Sequence, residues 1–260
     1  MSQRPDDLNT LVQQVITAVA ALDSGADGRD VPAFASQLLA ARPDLFARIG
    51  DTERAELASR AVAGAMLAVI GEIPQIVEAM MSAIDRRTTD PAVRCALIGA
   101  LAYLVQPRDL LPDGLPGGFG FIDDCVILRA TVTEFLDFLP RGFTTAERER
   151  RLLELLAVAI PPPRLPDFQA AVEGIWLAFH ALLWESEDEI EAIAERIAAD
   201  PLGTPLPIPD RVSIPLPPGP RLSLAPGSET VAFVGDAITV RFAKGGAVLV
   251  SPGGEIAGVE

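Results

Sequence analysis

Apolar residues recur at intervals of three and four along most of residues 1–200. In 'DDLNTLVQQVITAVAAL' one side of a helix would carry Leu8, Leu11, Val12, Val15, Ile16 and Val19. Segments of this kind follow one another to about residue 200, and most are separated by proline or by acidic and hydroxyl residues. The pattern predicts about nine helices that pack as a mainly α, multi-helix bundle.

Several of the predicted helices begin with a capping signal. Side chains of Ser, Thr and Asp accept hydrogen bonds from the free N–H groups of a first helical turn, and proline fits the first helical position. The expected caps are Asp51, Asp90 followed by Pro91, the capping boxes Thr144/Glu147 and Ser186/Glu189, and the acidic pair Asp123 and Asp124.

The composition changes abruptly at Pro201. Residues 201–227 are rich in proline and predict an extended strap or linker rather than a helix. Beyond them, 'TVAFV', 'AITVRFA' and 'AVLV' predict three short strands of a small β meander within residues 228–260. Such a sheet needs a surface to pack on, either the helical domain at residues 1–200 or another copy of the chain.

The stretch 'YLVQPRDLLPDGLPGGFGFIDDC' joins two of the most apolar predicted helices. Over about residues 94–132 it resembles the YkvA-like family, a bacterial helical domain of unknown function. The residues that carry the resemblance are Tyr103, Pro107, Asp109, Leu110, Leu111, Pro112, Asp113, Leu115, Pro116, Gly117, Gly120, Asp123 and Asp124. The resemblance implies a compact helix-loop-helix, spanning residues 94–139 here, with no established activity.

Four aspartates surround this loop: Asp109, Asp113, Asp123 and Asp124. The favoured interpretation is structural: Asp123 or Asp124 caps a helix, and Asp109 and Asp113 accept hydrogen bonds from loop amides. The alternative is an oxygen-ligand site for Mg²⁺, Mn²⁺ or Ca²⁺, which could activate water for hydrolysis. Phosphate binding at 'GGFG' is not expected, because the loop follows a helix and the acids occupy the helix N-terminus.

Charge narrows the range of partners. The net charge of −15 repels nucleic acid and anionic lipid, so neither partner is expected. The apolar stretch 61–84 keeps a peripheral membrane location as a further alternative, ranked behind a cytoplasmic location. Cys95 and Cys125, which lie in apolar segments without paired spacing, predict buried reduced thiols.

No complete catalytic set is apparent in the sequence. The single histidine, His180, lies four residues from both Trp176 and Trp184, which predicts one packed helical face rather than a catalytic base. The sequence therefore favours a non-enzymatic interaction or scaffold protein, without a required cofactor. Its C-terminal tail would serve self-association or binding of a protein partner, and a metal-dependent hydrolase is the alternative.

Overall fold

A computed structural model describes residues 7–23, 28–106, 110–112, 114–203, 229–235, 237–242 and 246–259. Within these ranges the α-helices are α1 Leu8–Ala20, α2 Val31–Ala41, α3 Pro43–Phe46, α4 Thr52–Ile70, α5 Ile73–Ile84, α6 Pro91–Tyr103, α7 Ile122–Glu134, α8 Ala146–Ala157, α9 Leu165–Leu182 and α10 Glu187–Ala199. Short 3₁₀ segments occupy Ala47–Ile49, Pro116–Phe121, Leu136–Phe138 and Pro162–Arg164. The strands are β1 Thr230–Val234, β2 Ala237–Arg241, β3 Ala247–Val250 and β4 Ile256–Val259. The mainly α fold class with a small C-terminal sheet is confirmed.

Three of the predicted caps form as expected. Asp51 accepts hydrogen bonds from the N–H groups of Glu53 and Arg54 at the start of α4. Asp90 caps α6 in the same way and is followed by a proline at the first helical position. Ser186 and Glu189 form a reciprocal capping box at the start of α10.

Two predicted caps are wrong. The N-cap of α8 is Thr145, which accepts from the N–H of Arg148, whereas Thr144 donates its hydroxyl proton to Glu149. The N-cap position of α7 is Phe121, and no side chain caps that helix. Asp123 and Asp124 lie inside its first turn instead, where their negative charges complement the helix dipole.

Helix α7 lies at the centre of the helical body. It packs against α4, α5, α6, α8 and α9, and every residue from 122 to 132 is buried. The spacing of Cys125, Leu128, Val132, Phe135 and Leu139 predicts a single apolar seam on this helix, but neighbouring helices surround it. Its polar residues are therefore buried as well, and each needs a partner inside the protein.

The C-terminal sheet is antiparallel, with its strands in the order β1-β2-β3-β4. The sequence predicted three strands, and the fourth, Ile256–Val259, pairs with β3 across an irregularity between Leu249 and Val250. The predicted strap at 201–227 falls almost wholly outside the described residues. Asp236 and residues 243–245, in the two predicted hairpin turns, also lie outside them, but the strands on either side pair as expected.

The sheet packs on the helices of its own chain. The buried side chains of Ile238, Val240, Val248 and Val250 belong to the same hydrophobic core as the helices, and each such burial stabilises the fold by about 1.5–3 kcal/mol. At one crossing point, a Cβ built on Gly64 of α4 would lie 3.2 Å from the Cα of Gly254. Only glycine at both positions allows the sheet to approach the helix this closely.

Arg42 adds a polar tie between the helices and the sheet. Its side chain is buried, and Nη1 donates to the carbonyl oxygen of Val158 at 2.6 Å. Nη2 lies 2.8 Å from Asp44 and 3.3 Å from Glu229, the residue immediately before β1. The start of the sheet is therefore attached to the end of α8 through one guanidinium group.

The segment Thr52–Ile84, which comprises α4 and α5, is long and apolar enough to cross a membrane by length and composition alone. In the fold, 67% of its most apolar window is buried against the rest of the protein. A core helix of a globular domain has the same two properties.

Candidate functional site

The loop between α6 and α7 is the site to which the sequence pointed. Asp123 and Asp124 lie just after it, in the first turn of α7, whereas Pro107, Asp109 and Asp113 lie outside the described residues. Tyr103, at the end of α6, packs partly buried against the core. Pro112 and Pro116 are exposed on the loop surface, and Gly120 is buried beneath it.

Asp123 connects the two ends of this loop. Its carboxylate is fully buried, and Oδ2 accepts hydrogen bonds from the N–H groups of Leu110 at 2.9 Å and Leu111 at 3.1 Å. Two charge-assisted bonds to backbone amides hold the chain before the glycines against the first turn of α7. Accepting from loop amides was the role predicted for Asp109 and Asp113, which lie outside the described residues; Asp123, predicted as a helix cap, makes such bonds instead.

Asp124 is also buried in the first turn of α7. Among the described residues, no three His, Cys, Asp or Glu side chains are arranged to hold a metal ion. A cation bound at Oδ2 of Asp123 would face two N–H donors, whose hydrogens carry partial positive charge. That oxygen therefore serves the backbone, and a cation would have to use other oxygens of the cluster.

The glycine turn rests directly on the start of α2. Gly117 and Gly118 have φ of 70° and 79°, the left-handed region that glycine adopts without strain. A Cβ on Gly117 would lie 2.5 Å from the backbone nitrogen of Phe34 and 2.6 Å from the carbonyl oxygen of Asp30. Phe119 adds an edge-to-face contact with the ring of Phe34, at 5.0 Å between centroids. The loop is therefore clamped between α7 and α2.

A network that was not predicted from the sequence surrounds Arg129, which lies on α7 one and a half turns beyond Asp124. This guanidinium is fully buried. Nη1 lies 2.6 Å from Oε2 of Glu149, and Nη2 lies 2.7 Å from Oε2 of Glu72 and 3.0 Å from the carbonyl oxygen of Val69. One side chain thus joins α7 to α8 and to the junction between α4 and α5.

Arg148 completes the network from its outer side. It donates to Oε1 of Glu72 at 2.7 Å and to Oε1 of Glu149 at 3.2 Å, and Thr144 donates to the same oxygen of Glu149 at 2.6 Å. Two arginines thus balance two glutamates, as buried charges require. Burial raises the pKa of Glu72, but the hydrogen bond from Arg148 and the charge of Arg129 outweigh it and hold that pKa below its ordinary value.

Cys125 lies one turn before Arg129 and is inert. Its thiol donates a weak hydrogen bond to the carbonyl oxygen of Val69 at 3.7 Å. Burial raises the pKa of this thiol to about 11, and burial raises that of Cys95 to about 11 as well. Both cysteines are buried and unpaired with each other, as predicted, and neither is a thiolate nucleophile at neutral pH.

The face predicted for His180 forms only in part. The ring of His180 lies 4.1 Å from that of Trp176 and 5.4 Å from that of Phe179, between centroids. Helix α9 ends at Leu182, however, so Trp184 leaves the helix and is 72% exposed. The expectation that Trp184 shares the packed face of His180 is wrong.

Comparison with known proteins gives one match. Residues 93–129 match the model of a protein family of unknown function, DUF1232. This segment is well under half of the chain and contains most of α6, the loop and α7 as far as Arg129. Searches among curated proteins and among solved structures returned no match. The matched segment of this chain contains Asp123, Asp124 and Arg129. It is similar to a domain of unknown function.

Proposed function

We propose that the protein is a non-enzymatic interaction or scaffold protein, with a YkvA-like segment as the internal brace of its helical body. The exposed corner between α9 and α10 is the observation that carries the proposal. There Leu183 and Trp184 are adjacent and 51% and 72% exposed, whereas the other exposed large apolar side chains among the described residues, Leu57, Phe138, Leu202 and Val234, each stand alone in the sequence. Tryptophan is enriched among the residues that contribute most binding energy at protein interfaces.

The loop between α6 and α7 supports the part of this proposal in which the YkvA-like segment braces the helical body. Asp123 binds loop amides, and Gly117 leaves no space for a ligand against α2. A groove of about 270 Å³ between α6 and α10 contains Arg94 and Glu191, which pair with each other at 4.0 Å, and its lining holds no histidine, cysteine, serine or threonine. These features favour a structural role over a reaction centre.

The C-terminal tail has a narrower role in this proposal than the sequence suggested. Because one face of the sheet is covered by helices of the same chain, association through the tail would use its outer face or its edge strands, β1 and β4. Val234 at the end of β1 is exposed and lies on that outer region. We place the protein in the cytoplasm, and the net charge of −15 supports a protein partner over nucleic acid or anionic membrane.

Quantitative capture of cellular partners tests this function. Tagged wild-type protein is compared with Leu183→Ala/Trp184→Ala and with a control, Leu57→Ala, which truncates an exposed leucine on α4. The double variant should lose a specific partner that wild type and the control retain, at unchanged melting temperature. Equal recovery by all three proteins would remove the corner as the interaction surface.

A divalent-cation site is the second candidate, because Asp123 and Asp124 are adjacent buried carboxylates. A ligand that binds only the native state raises its stability by RT ln(1 + [L]/Kd). Melting with millimolar Mg²⁺, Mn²⁺ or Ca²⁺ after chelation should leave the transition unshifted if the loop is a brace. A shift that Asp124→Asn abolishes would establish the cation site and reopen the hydrolase hypothesis.

A further inference from the structure

We infer that the corner formed by residues 183–189 binds a protein partner that presents an apolar pocket bordered by lysine or arginine side chains. This inference rests on the proposed function and names the chemistry of the partner. It follows from three properties of the corner: its exposed apolar side chains, its fixed backbone and its one-sided charge.

The apolar part of the corner lies in solvent. Leu183 and Trp184 follow the last residue of α9, in the turn that leads to α10. Residues 183–189 are all exposed, so no element among the described residues covers either side chain fully. Burying one tryptophan in a pocket removes about 150–250 Å² of surface from water, which makes Trp184 the natural anchor.

The backbone of the corner is held on both sides. The N–H of Trp184 bonds to the carbonyl oxygen of Ala181, and that of Glu185 bonds to Leu182, both at 3.1 Å. The N–H of Ser186 then donates to Oε2 of Glu189 at 3.0 Å, within the capping box of α10. A partner therefore meets a tip that is already ordered, and binding loses little conformational entropy.

Charge determines which partner fits. Glu185, Glu187 and Asp188 are exposed beside Trp184, and residues 165–195 contain no lysine or arginine. Glu191, on the next turn of α10, lies 4.0 Å from Arg94. An acidic rim around an apolar anchor is complementary to a basic rim around an apolar pocket.

The acidic side chains of the corner disfavour three other binding partners: a second copy of the chain, anionic lipid and nucleic acid. A second copy that offered this corner would bring like charges together, and anionic lipid or nucleic acid would be repelled. Exposed ion pairs contribute little each and are screened by salt, so the rim should act mainly through specificity and salt dependence. The anchor should supply most of the affinity.

A displayed library of random peptides, panned against the full chain, provides the probe. Bound peptides should combine apolar residues with lysine or arginine, and their affinity should fall between about 50 mM and about 300 mM salt. Glu185→Gln/Glu187→Gln/Asp188→Asn should weaken them about tenfold, as three exposed ion pairs together imply. The control Glu56→Gln/Glu78→Gln/Glu134→Gln removes three exposed acids elsewhere and should leave affinity unchanged.

The outcomes separate this inference from the proposed function. Binding that Trp184→Ala abolishes but that ignores salt and the rim variant would overturn the basic partner while leaving the corner an interaction surface. Selection of the same peptides by wild type and by Trp184→Ala would overturn the inference outright. Sedimentation showing a dimer that Trp184→Ala dissociates would replace the basic partner with a second copy of the chain.

Discussion

Replacing Arg129 with methionine should destabilise the protein more than any other single loss of an ion pair among the described residues. Methionine nearly fills the same volume but donates no hydrogen bond, so Glu149, which is 1% exposed, loses its 2.6 Å partner inside the core. Removing one partner of a buried pair costs about 3–5 kcal/mol, a large part of the total stability of about 5–15 kcal/mol expected for a folded protein.

The magnitude can be isolated with a matched control on α8. Arg150 also makes two ion pairs, to Glu147 at 2.7 Å and to Glu154 at 2.8 Å, but its side chain is 45% exposed. Arg150→Met should therefore cost about 1 kcal/mol or less. The two variants remove the same chemical group and the same number of ion pairs, so their difference measures burial together with the bond from Arg129 to the carbonyl oxygen of Val69.

A double variant tests the reason for the cost. If the destabilisation comes from the loss of the Arg129 donor to Oε2 of Glu149, which leaves Arg148 and Thr144 on Oε1 only, then Arg129→Met/Glu149→Met should recover about 1–3 kcal/mol relative to Arg129→Met alone. Urea unfolding measured by circular dichroism gives these free energies. An Arg129→Met variant within 1 kcal/mol of Arg150→Met, or a double variant less stable than the single, would refute the reasoning.

The same network predicts a pH dependence with a definite sign. Because the pKa of Glu72 lies below its ordinary value of 4.5 in the folded state, its interactions stabilise the protein above that pH. The stability is lost as the pH falls through the lowered pKa. The gap between wild type and Arg129→Met should therefore be full at about pH 7 and narrower at about pH 3.5. A gap that widens on acidification would contradict the assignment.

Two further predictions concern the loop. Asp123→Ala leaves the N–H groups of Leu110 and Leu111 without their acceptor and should lower the free energy of urea unfolding by about 2–4 kcal/mol. Asp123→Asn keeps an acceptor oxygen and should cost less. Equal losses for the two variants would contradict these hydrogen bonds. Gly117→Ala should cost at least about 3 kcal/mol of stability, because its Cβ would meet the backbone of α2. The control Gly142→Ala, at a φ of 77° with open space around the Cβ, should cost about 1–2 kcal/mol. Similar melting temperatures for the two variants would contradict the close packing of the glycine turn on α2.

Local signals in the sequence were enough to place most of the helices and several of their ends. Asp51, Asp90 and the Ser186/Glu189 box act within three or four residues of themselves, so chain order alone determines their hydrogen bonds. Thr144 shows the limit of this approach. Its hydroxyl could cap α8 or donate to Glu149. It donates to Glu149, because that buried carboxylate has no water to bind it.

The partners of Arg129 could not be located in the same way. Glu72 and Glu149 are 57 and 20 residues distant in sequence, and only the packing of α7 brings them together. One signal was present, since a single arginine interrupts the apolar run of 'DDCVILRATV'. In a helix that is buried on every side, such a residue must have a buried acidic partner.

The exposure of the corner at residues 183–189 was not predicted because the local pattern there was misleading, whereas for Arg129 the partners were distant in sequence. The helical pattern continues through Trp184 in the sequence, so the residue seemed to share the face of Trp176 and His180. The chain instead leaves the helix at Leu182 because Ser186 starts α10 four residues later, and a tight turn must lie between them. Trp184 is thereby turned away from the core.

Site-specific photo-crosslinking tests the central claim most directly. A photoreactive phenylalanine analogue is placed at position 183, beside the anchor, and at position 57 as a control, in cells that express the full chain. The interaction account predicts discrete heavier adducts from position 183 that Trp184→Ala abolishes, and none of these adducts from position 57. Adducts that are absent at 183, or identical at both positions and unaffected by Trp184→Ala, would contradict it.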